Sequence, residues 1–121
     1  MLEEKRVAII GSREFKNKSY LDEKMSKLQE EYEITIIVSG GAKGADTMGV
    51  QWANRNKIAT KVFLPNFKKH KRAYHYRNRQ IVHDTDIIIA LWNGSSTGTK
   101  YTIDYARSLN KEVIIYKYKN G

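Results

Sequence analysis

Five short apolar runs, rich in β-branched residues, set the rhythm of the chain. Val7–Ile10 stops at Gly11, Ile34–Val38 at Ser39-Gly40-Gly41, Lys61–Leu64 at Pro65, and Asp86–Trp92 at Asn93-Gly94; Glu112–Tyr116 closes the series. Their apolarity is nearly continuous rather than alternating, which fits strands covered on both faces of a parallel sheet. Between the runs the period changes. Leu21, Met25, Leu28 and Tyr32 recur at helical spacing, with Lys, Glu and Gln on the other face. Met48, Trp52 and Ala53 repeat this after a Gly-rich stretch, and Ile103, Ala106 and Leu109 or Asn110 do so near the end. A further helix, from about Lys71 to His83, is poorer in aliphatics. The alternation β-α-β-α-β-α-β-α-β predicts an α/β fold: a three-layer sandwich with right-handed crossovers and a parallel sheet of about five strands. No repeat or linker interrupts it, so residues 1–121 read as a single domain.

Composition narrows the partners. Lys and Arg number 22 against 13 Asp and Glu, a net charge of +9, which favours an anionic partner. The absence of cysteine excludes disulfides, thiolate metal sites and a Cys nucleophile, and it suits a reducing cytoplasm, the expected location. Met1-Leu2-Glu3-Glu4-Lys5-Arg6 has mixed charge with no apolar stretch behind it, so no secretory signal is expected. No apolar run approaches the roughly 20 residues of a membrane span, and no membrane partner is expected.

In such a sheet, ligands bind beyond the carboxyl ends of the strands, where the strand order reverses. With the expected order 3-2-1-4-5, the loops after the first, second and fourth strands become neighbours. The first loop is Gly11-Ser12-Arg13. Gly permits a tight turn, Ser offers a hydroxyl, and Arg offers a fork matched to phosphate; a plain surface arginine is the alternative. The second is Ser39-Gly40-Gly41-Ala42-Lys43-Gly44-Ala45-Asp46, with three glycines in five positions ahead of a helix. It can turn backbone amides and a helix N-terminus toward an anion, with Lys43 adding charge. It matches neither GxGxxG nor GxxxxGK[ST], so it specifies neither a dinucleotide nor an ATPase. Asp46 reads as a helix cap, with acceptance of ribose hydroxyls as its other possible task. The third is Asn93-Gly94-Ser95-Ser96-Thr97-Gly98-Thr99, a second small-residue loop opening a helix, or else a plain turn with Thr99 as cap.

The strongest charge cluster, Lys68-Lys69-His70-Lys71-Arg72-Ala73-Tyr74-His75-Tyr76-Arg77-Asn78-Arg79, contains no acid. Interleaved cations and aromatics can bind single-stranded nucleic acid, line a nucleotide pocket, or form a solvated helix face. His70, His75 and His83 carry no HExxH spacing, and no metal or other cofactor is expected. A Gly-x-Ser-x-Gly elbow is absent.

Taken together and in order, Gly11-Ser12-Arg13, Val38-Ser39-Gly40-Gly41-Ala42-Lys43-Gly44-Ala45-Asp46, Arg77-Asn78 and Ser96-Thr97-Gly98-Thr99 resemble the SLOG superfamily. This Rossmann-like group joins DNA-processing protein A to the LOG phosphoribohydrolases, and the closest branch is that of the small YspA/YpsA-related members. The resemblance spans about Val7 to Tyr116. It implies a Rossmann-like domain that binds nucleotides or ADP-ribose-type ligands, often as a homo-oligomer, with single-stranded nucleic acid as the ligand of the DNA-processing branch. On this reading Arg13, Lys43 and Arg77 balance phosphate charge, and amides of Gly40–Gly44 and Gly98–Thr99 cradle it. A base or ribose would pack near Trp92 or a tyrosine. The LOG enzymes cleave the N-glycosidic bond with a Glu just after the Gly-Thr of the last loop. Here Gly98-Thr99 is followed by Lys100-Tyr101-Thr102-Ile103-Asp104. An oxocarbenium-like transition state needs a carboxylate close by, so Asp46 or Asp104 would have to serve. Asp46 is the candidate catalytic group, and binding without turnover is the expectation.

Overall fold

The computed structural model describes residues 1–69 and 72–119. Strands β1 (Glu3–Gly11), β2 (Tyr32–Ser39), β3 (Ala59–Val62), β4 (Ile87–Trp92) and β5 (Glu112–Lys117) alternate with helices α1 (Lys18–Glu31), α2 (Ala45–Arg55), α3 (Ala73–His83) and α4 (Thr97–Ser108). All pairings are parallel, and the sheet order is β3-β2-β1-β4-β5, as expected. Val7 pairs with both Ile37 and Ile87, so β1 is central and the order reverses between it and β4.

Side chains alternate across each strand, and helices cover both faces. Val7, Ile9, Ile37, Ile87, Ile89 and Leu91 pack against Leu21, Met25 and Leu28 of α1 and Trp52 and Ala53 of α2. Ala8, Ile10, Val38, Ile88 and Ala90 face the other way, onto Ile81 and Val82 of α3 and Ile103 and Ala106 of α4. This double burial explains the unbroken β-branched runs of the inner strands.

Two boundaries depart from the hydrophobic pattern. Tyr32, expected on the first helix, has φ −138° and ψ 153° at the end of α1 and begins β2. The third strand ends at Val62 instead of running from Lys61 to Leu64; it is an edge strand, exposed at all four residues. Pairing with β2 positions it, so its apolar pattern carries little of the signal. The expected start of α3 at Lys71, and His70 and Lys71 of the basic cluster, lie outside the described residues. Among those described, no helix is long and apolar enough to cross a membrane.

Candidate functional site

A cleft of about 640 Å³ opens beyond the carboxyl ends of β1 and β4. Its walls come from the three expected loops and from the first two turns of α3 and α4.

Ser12 ties the loops together. Its N–H donates to Leu91 O at 3.0 Å, and its carbonyl accepts from Ala45 N at 3.2 Å. Its hydroxyl accepts from Asn93 N at 3.2 Å. Expected as a ligand hydroxyl, Ser12 is buried and also serves as the junction of three loops. Gly44 makes the junction possible. At φ 77° it lies where a side chain is strained, and a Cβ there would come within 2.4 Å of the Ser12 and Arg13 carbonyl oxygens.

The Gly-rich loop is organised from below. Asp46, in the first turn of α2, does not cap it: the N-cap is Gly44, which makes no side-chain bond. The carboxylate instead reaches back along the loop, where its Oδ2 accepts from Gly40 N at 3.1 Å and Ala42 N at 3.3 Å. Ser39, wholly buried, donates its hydroxyl to Asp46 O at 3.1 Å and accepts from Gly41 N at 3.4 Å. Amides expected to cradle an anion are therefore engaged within the loop. A Cβ on Gly40 would meet the Arg77 guanidinium at 2.6 Å and Asp46 Oδ2 at 2.8 Å, so a side chain there would push these two groups apart.

Arg77 takes the place of an apolar residue on the buried face of α3, with only 6% of its surface exposed. Its Nη1 donates to the Gly40 carbonyl and, at 3.5 Å, to Phe63 O, while its Nε donates to Asn78 Oδ1 at 2.8 Å. Burial holds the guanidinium below its ordinary pKa, and Asp46 opposes that shift. For Asp46 burial dominates as well. It pushes the carboxyl up to about 6, against the Ala42 amide, Arg77, the Gly40 amide and Arg13. The same carboxylate is thus partly desolvated and partly compensated.

The open side of the cleft lies at α4. Ser96 is its N-cap, accepting from Thr99 N at 3.4 Å; Thr99, the expected cap, is buried behind it. Asn93 Oδ1 accepts from Ser95 N and Ser96 N, both at 2.9 Å, which folds the loop so that the helix start faces the cleft. A Cβ on Gly98 would meet nothing within 4 Å. First-turn amides of a helix have no intrahelical acceptor and carry the positive end of its dipole.

Of the residues expected at the site, Gly11, Ser12, Arg13, Ala42, Asp46, Arg77, Asn78, Ser96, Thr97, Gly98 and Thr99 line the cleft. Ser39, Gly40, Gly41, Lys43 and Gly44 do not; they shape the loop beneath it, and Lys43 is exposed outside it. Trp92 is also off the wall, its Nε1 donating to Ser96 O at 3.1 Å. The aromatic on the wall is Tyr74, with the Arg13 and Arg77 guanidinium carbons each 5.6 Å from its ring centre. His75 lines the cleft beside it, stacked on Tyr101 at 4.0 Å. Tyr74, Arg77 and Asn78 fall at i, i+3 and i+4 on α3, a spacing that could have picked out Tyr74 from the basic cluster. Asn93, from the third expected loop, also lines it, joined at 3.3 Å to Glu14, which the sequence did not single out. Asp104 is exposed, paired with Lys100 at 2.7 Å, and off the wall, so Asp46 and Glu14 are the cleft's carboxylates. Among the described residues, no group of three His, Asp or Glu side chains is placed to hold a metal ion.

Comparison with solved structures finds DNA processing protein A (DprA) from Streptococcus pneumoniae at a TM-score of 0.74 and 22% identity. The match covers 94% of this chain and 50% of that one, so the chain spans half the length of that protein. The likeness is one of fold. No curated protein sequence matches. The family model for YspA, cpYpsA-related SLOG proteins matches residues 5–70, the stretch that runs from β1 through β3 and carries the Gly-rich loop. On that match the chain belongs to the YspA, cpYpsA-related SLOG family.

Proposed function

We propose that the cleft binds a nucleotide or nucleotide-derived ligand of the ADP-ribose type, and that the protein senses or sequesters it in the cytoplasm. The observation that carries this reading is the α4 N-terminus, opened by Gly98 onto a cleft that also holds Arg13. A helix start and a guanidinium together suit a phosphate or pyrophosphate. The exposed ring of Tyr74 offers an edge for a base or ribose.

Hydrolysis of the N-glycosidic bond is the second reading, favoured by one observation. Asp46 is a cleft carboxyl held near neutrality, the condition of a general acid. Its Oδ2 is already committed to two loop amides, which favours binding over turnover. Calorimetric titration with ADP-ribose, nucleoside mono- and diphosphates, and a single-stranded oligonucleotide tests both readings, with chromatography of each mixture for free base. Saturable binding of ADP-ribose or a nucleotide without base release supports the first. Multiple-turnover base release that Asp46→Asn abolishes would replace it with the second. Affinity that rises with oligonucleotide length and falls steeply with salt would point to nucleic acid. A homo-oligomeric state is part of the proposal and is read by light scattering.

A further inference from the structure

The Gly-rich loop precedes a helix and looks made for an anion, yet its donors are already turned to one. Gly40 N and Ala42 N converge on a single oxygen, Asp46 Oδ2. Arg77 holds the Gly40 carbonyl from the other side. The Asp46 carboxylate therefore occupies the loop as an internal anion would, and it does so from the wall of the cleft. The loop supplies two amides to it, α3 supplies the Arg77 charge and the loop after β1 the Arg13 charge; Tyr74, His75 and Glu14 line the same cleft.

We propose that Asp46 is a proton-operated latch on the Gly-rich loop, and that the cleft takes up a proton at this carboxylate when it binds an anion. The second half rests on the ligand class proposed above; the first does not. Ionised, Asp46 draws the amides of Gly40 and Ala42 inward. Protonated, its Oδ2 is a weaker acceptor, and the loop is released to offer those amides to the cleft. A phosphate entering beside an ionised carboxylate is a second negative charge in a partly desolvated space. One of the two is then relieved by a proton, as in paired carboxylates. The burial that already raises the Asp46 pKa places this exchange within reach of neutral pH.

The test uses the wild-type protein first. Heteronuclear NMR follows the Gly40 and Ala42 amides and the Asp46 carboxyl carbon from pH 4.5 to 8. A shared midpoint near 6 supports the latch; amides that stay flat while the carboxyl titrates overturn it. The coupling is then measured by calorimetry with ADP-ribose, whose pyrophosphate charge is constant in this range, in buffers of differing ionisation enthalpy. The expected result is affinity roughly tenfold tighter at pH 5.5 than at 7.5, with uptake of about half a proton or more near pH 7. Both effects should vanish in Asp46→Asn, whose amide oxygen can still accept from the loop. If they persist there and vanish in His75→Gln, the proton site is the histidine and the coupling is overturned. If the loop amides titrate but ADP-ribose binds at no pH, the ligand reading and the coupling fall while the latch stands.

Discussion

Asp46 and Arg77 hold opposite ends of one residue: Gly40 gives its N–H to the Asp46 carboxylate at 3.1 Å, and its carbonyl accepts from the Arg77 guanidinium. The two charges act on each other across that glycine, each buried and each opposing the other's desolvation. Removing Arg77 leaves Asp46 with Arg13 as its remaining counter-charge, and removing Asp46 leaves Arg77 without one. Arg77→Met is expected to destabilise the fold by about 3 kcal/mol, the low end for breaking a buried pair, and to raise the Asp46 pKa further. Adding Asp46→Asn should recover part of the loss. Urea unfolding of the two single variants and the double variant checks this, and strict additivity would contradict it.

The raised carboxyl also sets a pH dependence of stability. Its folded pKa, about 6, lies above the ordinary 3.8, so between these values the native state binds a proton that the unfolded chain does not. Stability from this group is full below the unfolded value and is lost as pH rises through 6. The difference amounts to about 3 kcal/mol, from about 1.4 kcal/mol per pKa unit. Asp22 is shifted downward, so its contribution fades only at more acid pH. Denaturant midpoints at pH 4.5 and 7.5 should favour the acid side in the wild type, with the difference shrinking in Asp46→Asn.

Gly44→Ala is expected to cost about 3 kcal/mol or more. The added methyl would sit 2.4 Å from two main-chain oxygens that have no room to yield, at a backbone angle that L residues rarely adopt. Gly98→Ala, facing open space, should leave the melting temperature within a few degrees of wild type while blocking the helix start. Thermal melts of the two variants, side by side, separate a glycine kept for the fold from one kept for access.

For the ligand, Arg13 and Lys43 part company. Arg13 lines the cleft, is exposed, and makes no ion pair among the described residues. Arg13→Ala should weaken ADP-ribose binding about tenfold or more, the worth of one charge-assisted contact, with the apo melting temperature unchanged. Lys43→Ala should leave affinity within about twofold at physiological salt, since its charge lies outside the cleft and is screened. Equal losses in both variants would show that the anion sits elsewhere.

The sheet was legible because its inner strands are buried on two faces. Val7–Ile10 and Ile87–Leu91 have no polar alternation to confuse the period. The edge strand was legible in its place in the order but not in its bounds, because exposed Ala59–Val62 owes its place to hydrogen bonds with β2 that any side chains allow. At the site, the loops were legible as glycine and hydroxyl clusters. Which amides face the ligand was not, since that depends on Asp46 turning back along its own loop, a choice between two local geometries with the same sequence. Arg77 shows the same limit. On a helix poor in aliphatics its charge read as phosphate-facing; packing puts it on the cleft wall and, at the same time, against the carbonyl of Gly40 in the Gly-rich loop.

The knot at Ser12 has a mechanical consequence. One residue bonds to the end of β4, to the first residue of α2 and to the loop before α4. Two of those three bonds are main chain to main chain, and the third needs only a small hydroxyl. Asn93 is therefore joined to Ala45 through the single residue Ser12, and the only cleft side chain in that connection is the Ser12 hydroxyl. Groups such as Arg13, Tyr74 and Glu14 are in that sense interchangeable fittings on a frame that does not depend on them.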